Sequence, residues 1–221
     1  MNHLPQPWPL KPRGLYPLID LDHLRKISQE PLGFARAVLV ARPAVLQVRA
    51  KGTPLMETLG VLRALLPECR AAGALLFAND RPDLALLAEC DGVHVGQEDL
   101  PIGEVRRLAQ GLRVGVSTHS LAQLEAALAL EPDYVAFGPV FSTLSKENPD
   151  AVVGPSELGT AYARAQAAGI PLVAIGGIDL ARAQEIRQST DMVAVIGALL
   201  GAAPSLAAVT EAARSFQRAF Q

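Results

Sequence analysis

Within residues 44–51, Ala-Val-Leu-Gln-Val-Arg-Ala-Lys, an amide and two cations recur at every second position. In an extended strand alternate side chains share a face, so Gln47, Arg49 and Lys51 point one way and Leu46, Val48 and Ala50 the other. Helical patterns flank this stretch on both sides. They predict a parallel strand covered by helices on its outer side rather than an exposed strand with a wet polar face. Two cations and an amide on the remaining face need an anion to meet.

Other residues suit the same chemistry. Asp80 and Asp99 follow two neighbouring apolar runs and could converge on one hard cation, since two carboxylates completed by substrate phosphates and water is how Mg²⁺ is usually held. Helix capping is the plainer alternative, because Asp80 precedes Pro82 and Asp99 precedes Pro101 and Ile102. Arg49, Lys51 and Lys146 in the same mouth tip the balance toward metal. Gly176-Gly177 and Ile196-Gly197 end two later runs, where backbone N–H groups can approach a phosphate closely. Ser117, Thr143 and Ser145 add hydroxyls. Ser117 and His119 give no Ser-His-Asp geometry, and His119 reads as structural or as a substrate hydrogen-bonder. His3, His23 and His94 lack metal-ligand spacing, which disfavours zinc.

The elements that must position these groups follow a rhythm. Short runs rich in Val, Ile and Leu recur at 15–20, 45–49, 75–78, 92–95, 113–117, 134–137, 172–175 and 192–196. Helical periodicity fills the gaps at 29–42, 55–72, 82–89, 102–109, 121–130, 156–168, 180–188 and 205–219. Eight strands each followed by a helix predict an α/β fold of the (β/α)8 TIM-barrel type, a single domain over residues 14–221. An open doubly wound sheet is the alternative, but no G-x-G-x-x-G follows the first strand. In a barrel, chemistry belongs at the C-terminal ends of the strands. Seven of the eight predicted strand ends carry the polar and glycine clusters.

Residues 1–13 hold Pro5, Pro7, Pro9 and Pro12 and predict a Pro-rich N-terminal extension with Trp8 packed on the barrel. Half of the 221 residues are hydrophobic, enough for a sizeable core. A net charge of -2 without a basic run argues against nucleic acid as partner. No apolar stretch approaches the ~18 residues of a membrane span, and the first residues lack a signal-peptide pattern. Cys69 and Cys90 read as buried thiols in a reducing cytoplasm. A homodimer is compatible with the sequence.

The motifs together resemble the thiamine phosphate synthase family. The resemblance rests on Gln47-Val48-Arg49-Ala50-Lys51, Asn79-Asp80-Arg81, the stretch from Asp91 to Pro101, Gly115-Val116-Ser117-Thr118-His119, Gly138-Pro139-Val140-Phe141 and Ala174-Ile175-Gly176-Gly177-Ile178. It implies a Mg²⁺-dependent transferase that joins hydroxymethylpyrimidine diphosphate to a thiazole phosphate, giving thiamine phosphate and diphosphate. It implies that Gln47, Arg49, Lys51, Asn79, Ser117 and Lys146 contact the pyrimidine diphosphate. Asp80 and Asp99 would hold Mg²⁺, while Thr143, Ser145, Gly177, Ile196 and Gly197 would hold the thiazole phosphate. Arg49, Lys51 and Lys146 would stabilise the departing diphosphate. The family commonly carries a serine where Gly197 stands. Two other readings stay open. One is a thiazole tautomerase acting on carboxythiazole phosphate, without Mg²⁺ and with His119 as proton shuttle. The other is a non-catalytic phosphate-ligand-binding barrel. Both aspartates together with Lys51 and Lys146 favour the synthase.

Overall fold

The computed structural model describes residues 12–143, 151–200 and 205–220. Eight strands close into a parallel barrel in sequence order. They are β1 (Gly14–Asp20), β2 (Val45–Arg49), β3 (Leu75–Asn79), β4 (Gly92–Val95), β5 (Arg113–Thr118), β6 (Tyr134–Phe137), β7 (Leu172–Ile175) and β8 (Met192–Val195). The outer layer holds α1 (Leu21–Lys26), α2 (Pro31–Leu39), α3 (Leu55–Ala72), α4 (Pro82–Leu87), α5 (Ile102–Leu108), α6 (Leu121–Leu128), α7 (Gly154–Ala167), α8 (Leu180–Ile186) and α9 (Leu206–Arg218). A short 3-10 turn, Gly197–Leu199, follows β8. The barrel expectation holds, with strand limits shifted by a residue at most. The helix expected at 29–42 is shorter and is preceded by α1, which no apolar period announced. No helix among the described residues is long and apolar enough to cross a membrane. The extension over residues 1–11, with Trp8, lies outside the described residues.

Alternation along each strand divides the core in two. Leu46, Val48, Leu76, Val93 and Val135 face outward and pack under the helices. Tyr16, Val45, Phe77, Tyr134, Val173 and Met192 fill the barrel interior. Cys69 and Cys90 are buried in the outer layer, where desolvation pushes both thiols up to about 12. Pro17 is accommodated in β1, although it removes a ladder donor. Pairing with β8 runs from Gly14 to Pro17 and pairing with β2 from Leu18 to Asp20, so Pro17 stands where the partner changes.

Three aspartates tie strands together at the opposite end from the polar mouth. Asp91, Asp133 and Asp191 each precede an even-numbered strand. Each accepts the backbone N–H at the start of the strand before it, from Leu76, Val114 and Leu172, at 2.9 Å. A carboxylate in this place satisfies a donor that the ladder leaves over at its end.

Candidate functional site

A cavity of about 940 Å³ opens at the C-terminal ends of the strands. Its walls include Gln47, Arg49, Lys51, Asn79, Asp80, Asp99 and Ser117 from the first half of the barrel. Thr143, Gly177, Ile196 and Gly197 line it from the second half. The structure therefore brings together eleven of the thirteen residues singled out from sequence. Ser145 and Lys146 lie outside the described residues, as does most of the segment from residue 147 onward to α7.

The first cation is held by the strand register. Arg49 ends β2 beside Asp20, which ends β1, and the two are ion-paired. Asp20 is almost completely buried and also accepts the His23 backbone N–H that opens α1. A guanidinium has five donors, so the pairing leaves Arg49 capacity to meet an anion in the cavity it lines.

Lys51 is placed differently from the expectation. Strand β2 ends at Arg49, so Lys51 does not continue the pleat. It sits on a turn gathered by Asp22 of α1. One carboxylate oxygen of Asp22 accepts the backbone N–H groups of Lys51 and Gly52, both at 2.8 Å, and the other accepts Thr53 Oγ1 at 2.8 Å. Partial burial pushes the Asp22 carboxyl up, but these donors outweigh it and hold it below the ordinary carboxylate range. The Lys51 ammonium then reaches Asp80 as an ion pair.

Neither metal candidate caps a helix. The N-caps of α4 and α5 are Arg81 and Pro101, and neither makes a side-chain capping bond. Asp80 adopts a left-handed backbone (φ 63°) immediately after β3, and its N–H donates to the His94 carbonyl at 2.7 Å. Such a conformation is costly for a residue with a side chain, and aspartate tolerates it better than most. Asp99 accepts the Gly96 N–H at 2.7 Å, which folds the loop after β4 back on itself. The two side chains lie against each other. Burial raises the Asp99 carboxyl above its ordinary range, and the neighbouring Asp80 raises it further, against the pull of the Gly96 N–H and Lys51.

The floor of the cavity is a buried polar chain that sequence reasoning largely missed. Gln47 Nε2 donates to the Tyr16 hydroxyl at 2.8 Å, and Tyr16 and Tyr134 share a hydrogen bond of 2.6 Å. Tyr134 meets His94 Nδ1 at 2.7 Å, and His94 Nε2 meets Ser117 Oγ at 2.8 Å. Burial raises both phenols strongly, so both stay protonated. The inward aromatics have room because glycines face them. Gly115 is in register with Tyr134, and a Cβ there would stand 2.0 Å from Tyr134 Cζ. Gly92 makes the same allowance for Phe77, at 2.3 Å. A glycine paired with a tyrosine across two barrel strands was the available signal.

In the second half of the barrel, Gly176 and Gly177 take φ of 99° and 63°. A Cβ on Gly177 would lie 2.3 Å from the Ser142 carbonyl oxygen, so the backbone packs there as only glycine permits. His119 uses Nδ1 to donate to the Gly138 carbonyl at 2.6 Å, tying the loops after β5 and β6 together.

Residues 15–199 match the profile of the family described as "Thiamine monophosphate synthase". A thiamine-phosphate synthase of Anaeromyxobacter dehalogenans is 41% identical over 207 residues, covering 92% of this chain and 88% of the relative. One of Myxococcus xanthus is 39% identical over 215 residues, covering 96% and 94%. A solved structure of a thiamine phosphate pyrophosphorylase from Pyrococcus furiosus superposes with a TM-score of 0.82 at 30% identity, covering 96% of each chain. The matched segment begins in β1 and ends in the turn after β8, so it spans the closed barrel and every wall of the cavity described above. The chain belongs to the thiamine monophosphate synthase family.

Proposed function

We propose that the barrel transfers the hydroxymethylpyrimidine group of a pyrimidine diphosphate to the nitrogen of a thiazole phosphate, giving thiamine phosphate and diphosphate, with Mg²⁺ at Asp80 and Asp99. The contact between these two carboxylates carries the reading, because burial and mutual repulsion leave Asp99 short of positive charge even with Lys51 nearby. The donor set suits a hard cation. Among the described residues no group of three or more His, Cys, Asp and Glu could hold a metal by itself. That agrees with an ion whose remaining ligands are substrate oxygens and water. When bound, Mg²⁺ supplies charge neutralisation to the leaving diphosphate.

This chain's own residues do the rest of the work in this reading. Arg49 and Lys51 bind and orient the diphosphate, with Lys146 as a third cation. Asn79 and Ser117 take polar edges of the pyrimidine diphosphate, and Gln47 meets the ring from the floor. Thr143, Ser145, Gly177, Ile196 and Gly197 receive the thiazole phosphate, largely through hydroxyls and main chain. The thiazole nitrogen attacks with its own lone pair, so no general base is needed. Holding the two substrates in line then contributes much of the rate.

The test is to mix both substrates with and without Mg²⁺ and follow thiamine phosphate. Product that depends on Mg²⁺ supports the reading. Interconversion of thiazole isomers without any condensation would replace it with the tautomerase.

A further inference from the structure

In the second half of the barrel the loops after β6 and β7 close on each other in steps. The Val140 N–H donates to the Ile175 carbonyl at 2.8 Å, and the Phe141 N–H to the Gly176 carbonyl at 3.0 Å. The next carbonyl along, that of Gly177, is met by a side chain, with Arg182 Nη1 donating to it at 2.6 Å. The same guanidinium lies over the Phe141 ring, its Cζ 4.8 Å from the centroid. Its Nε stands 3.9 Å from the Asp179 carboxylate, which also accepts the Arg182 backbone N–H at 2.9 Å. Arg182 therefore bridges the two loops where main-chain bonding passes to a side chain. A planar fork can stack on a ring and donate from its edge at the same time, which a point-like ammonium does not. The Gly177–Ile178 peptide is planar and trans, so its carbonyl and its N–H point opposite ways. With the carbonyl turned to Arg182, the Ile178 N–H is turned away from it. Gly177 and Ile178 line the cavity, whereas Arg182 and Phe141 stand outside its lining.

We propose that Arg182, seated on Phe141, is a positioning residue that orients the Gly177–Ile178 main chain for the phosphate of the thiazole substrate. It acts through the peptide and does not touch the ligand, whose identity rests on the function proposed above. The side chain is 43% exposed, so water screens its charge and little of it reaches the ligand directly. What Arg182 supplies is order. A peptide free to turn presents its N–H to the phosphate only part of the time, and binding must then fix it at an entropic cost. The stacked guanidinium fixes it before the ligand arrives. Losing the clamp therefore weakens the hold on the phosphate and leaves the hold on the thiazole ring and on the pyrimidine diphosphate as it was.

The experiment is an equilibrium titration of the full chain with thiazole phosphate and with the dephosphorylated thiazole alcohol. Arg182→Met removes the fork and should bind the phosphate about tenfold more weakly, while binding the alcohol as the wild type does. Phe141→Leu keeps the charge and removes the ring, and should weaken the phosphate by about threefold. Unchanged affinity in Phe141→Leu beside a weakened Arg182→Met would overturn the clamp, because loss of charge alone would then explain the effect. Equal losses for phosphate and alcohol would also overturn it, since a loosened fold affects both. In turnover, Arg182→Met should raise KM for thiazole phosphate and leave KM for the pyrimidine diphosphate within about twofold of the wild type. Arg182→Lys keeps the charge without the fork and serves if the methionine variant does not fold. Wild-type affinity for the phosphate in that variant would refute the proposal. The wild-type sample separates this inference from the reaction. Binding of thiazole phosphate without thiamine phosphate formation would remove the transfer and leave the clamp standing on the variant affinities. A wild type that holds the phosphate no better than the alcohol would overturn the clamp itself.

Discussion

Asp80 and Asp99 lie carboxylate against carboxylate at the mouth of the barrel, one directly after β3 and the other in the loop after β4, with Lys51 ion-paired to Asp80. Two like charges held together are unfavourable unless a cation joins them. Removing one charge should therefore relieve the protein and disable the chemistry. Asp99→Asn keeps an oxygen for the Gly96 N–H, so the loop has no reason to open. The variant without Mg²⁺ should melt no lower than the wild type, while Mg²⁺-dependent turnover falls by about 100-fold or more, the range typical of losing one electrostatic partner. Thermal unfolding and steady-state kinetics on the same preparation check both. Unchanged turnover would remove Asp99 from the metal site.

Asp22 governs the other cation at a distance. Its three accepted bonds hold the turn that carries Lys51. In Asp22→Ala that turn loses its anchor, at a cost of roughly 1–2 kcal/mol for a partly exposed carboxylate. The larger effect should be kinetic. KM for the pyrimidine diphosphate should rise more than kcat falls, because Lys51 is still present but no longer held in place. A proportional loss in kcat alone would show that Lys51 finds its place without Asp22.

These two aspartates mark where sequence reading succeeds and stops. Strands such as 45–49 and 172–175 were legible because a crossover strand covered by helices leaves a short β-branched run bounded by helical periods. Asp80 and Asp99 were legible as neighbours in the barrel mouth because polar residues at strand ends face one cavity there. Asp22 was not, since α1 is a six-residue helix of fewer than two turns and too short to show a hydrophobic period. Tyr16 and Tyr134 were hidden for another reason. They occupy inward strand positions, where a tyrosine reads as core until the cross-strand glycine and the neighbouring His94 are seen together. The register that joins them is a property of barrel closure and not of any local window.

Asp191 makes a prediction about stability and pH. Burial raises its carboxyl above the ordinary value, despite bonds from Leu172, Tyr162 and Gln166. A raised folded-state value means that the folded protein keeps a proton the unfolded chain has released. This contribution is fully present below the unfolded value of about 4 and is lost as pH rises through the folded one. Asn at this position does not titrate. The stability of wild type minus Asp191→Asn should therefore decline as pH rises across that window and level off above it. Urea unfolding at a series of acidic pH values measures the difference, and a constant offset would contradict it.

Gly115 and Gly60 should respond oppositely to the same added methyl group. At Gly115 the new Cβ would stand 2.0 Å from the ring of Tyr134, which is completely buried and bonded on both sides. The ring must move, and overpacking of this kind costs about 1–3 kcal/mol. Since Tyr134 links Tyr16 to His94, Gly115→Ala should also weaken pyrimidine binding. At Gly60, on the exposed side of α3, a Cβ meets nothing within 4 Å. Alanine there reduces the freedom of the unfolded chain and should stabilise the protein by roughly 0.5–1 kcal/mol, with binding unchanged. Denaturant unfolding and pyrimidine titration of the pair separate the effect of the floor from that of a generic substitution. Equal behaviour of the two variants would mean that the barrel interior yields more readily than the 2.0 Å approach of Gly115 to Tyr134 requires.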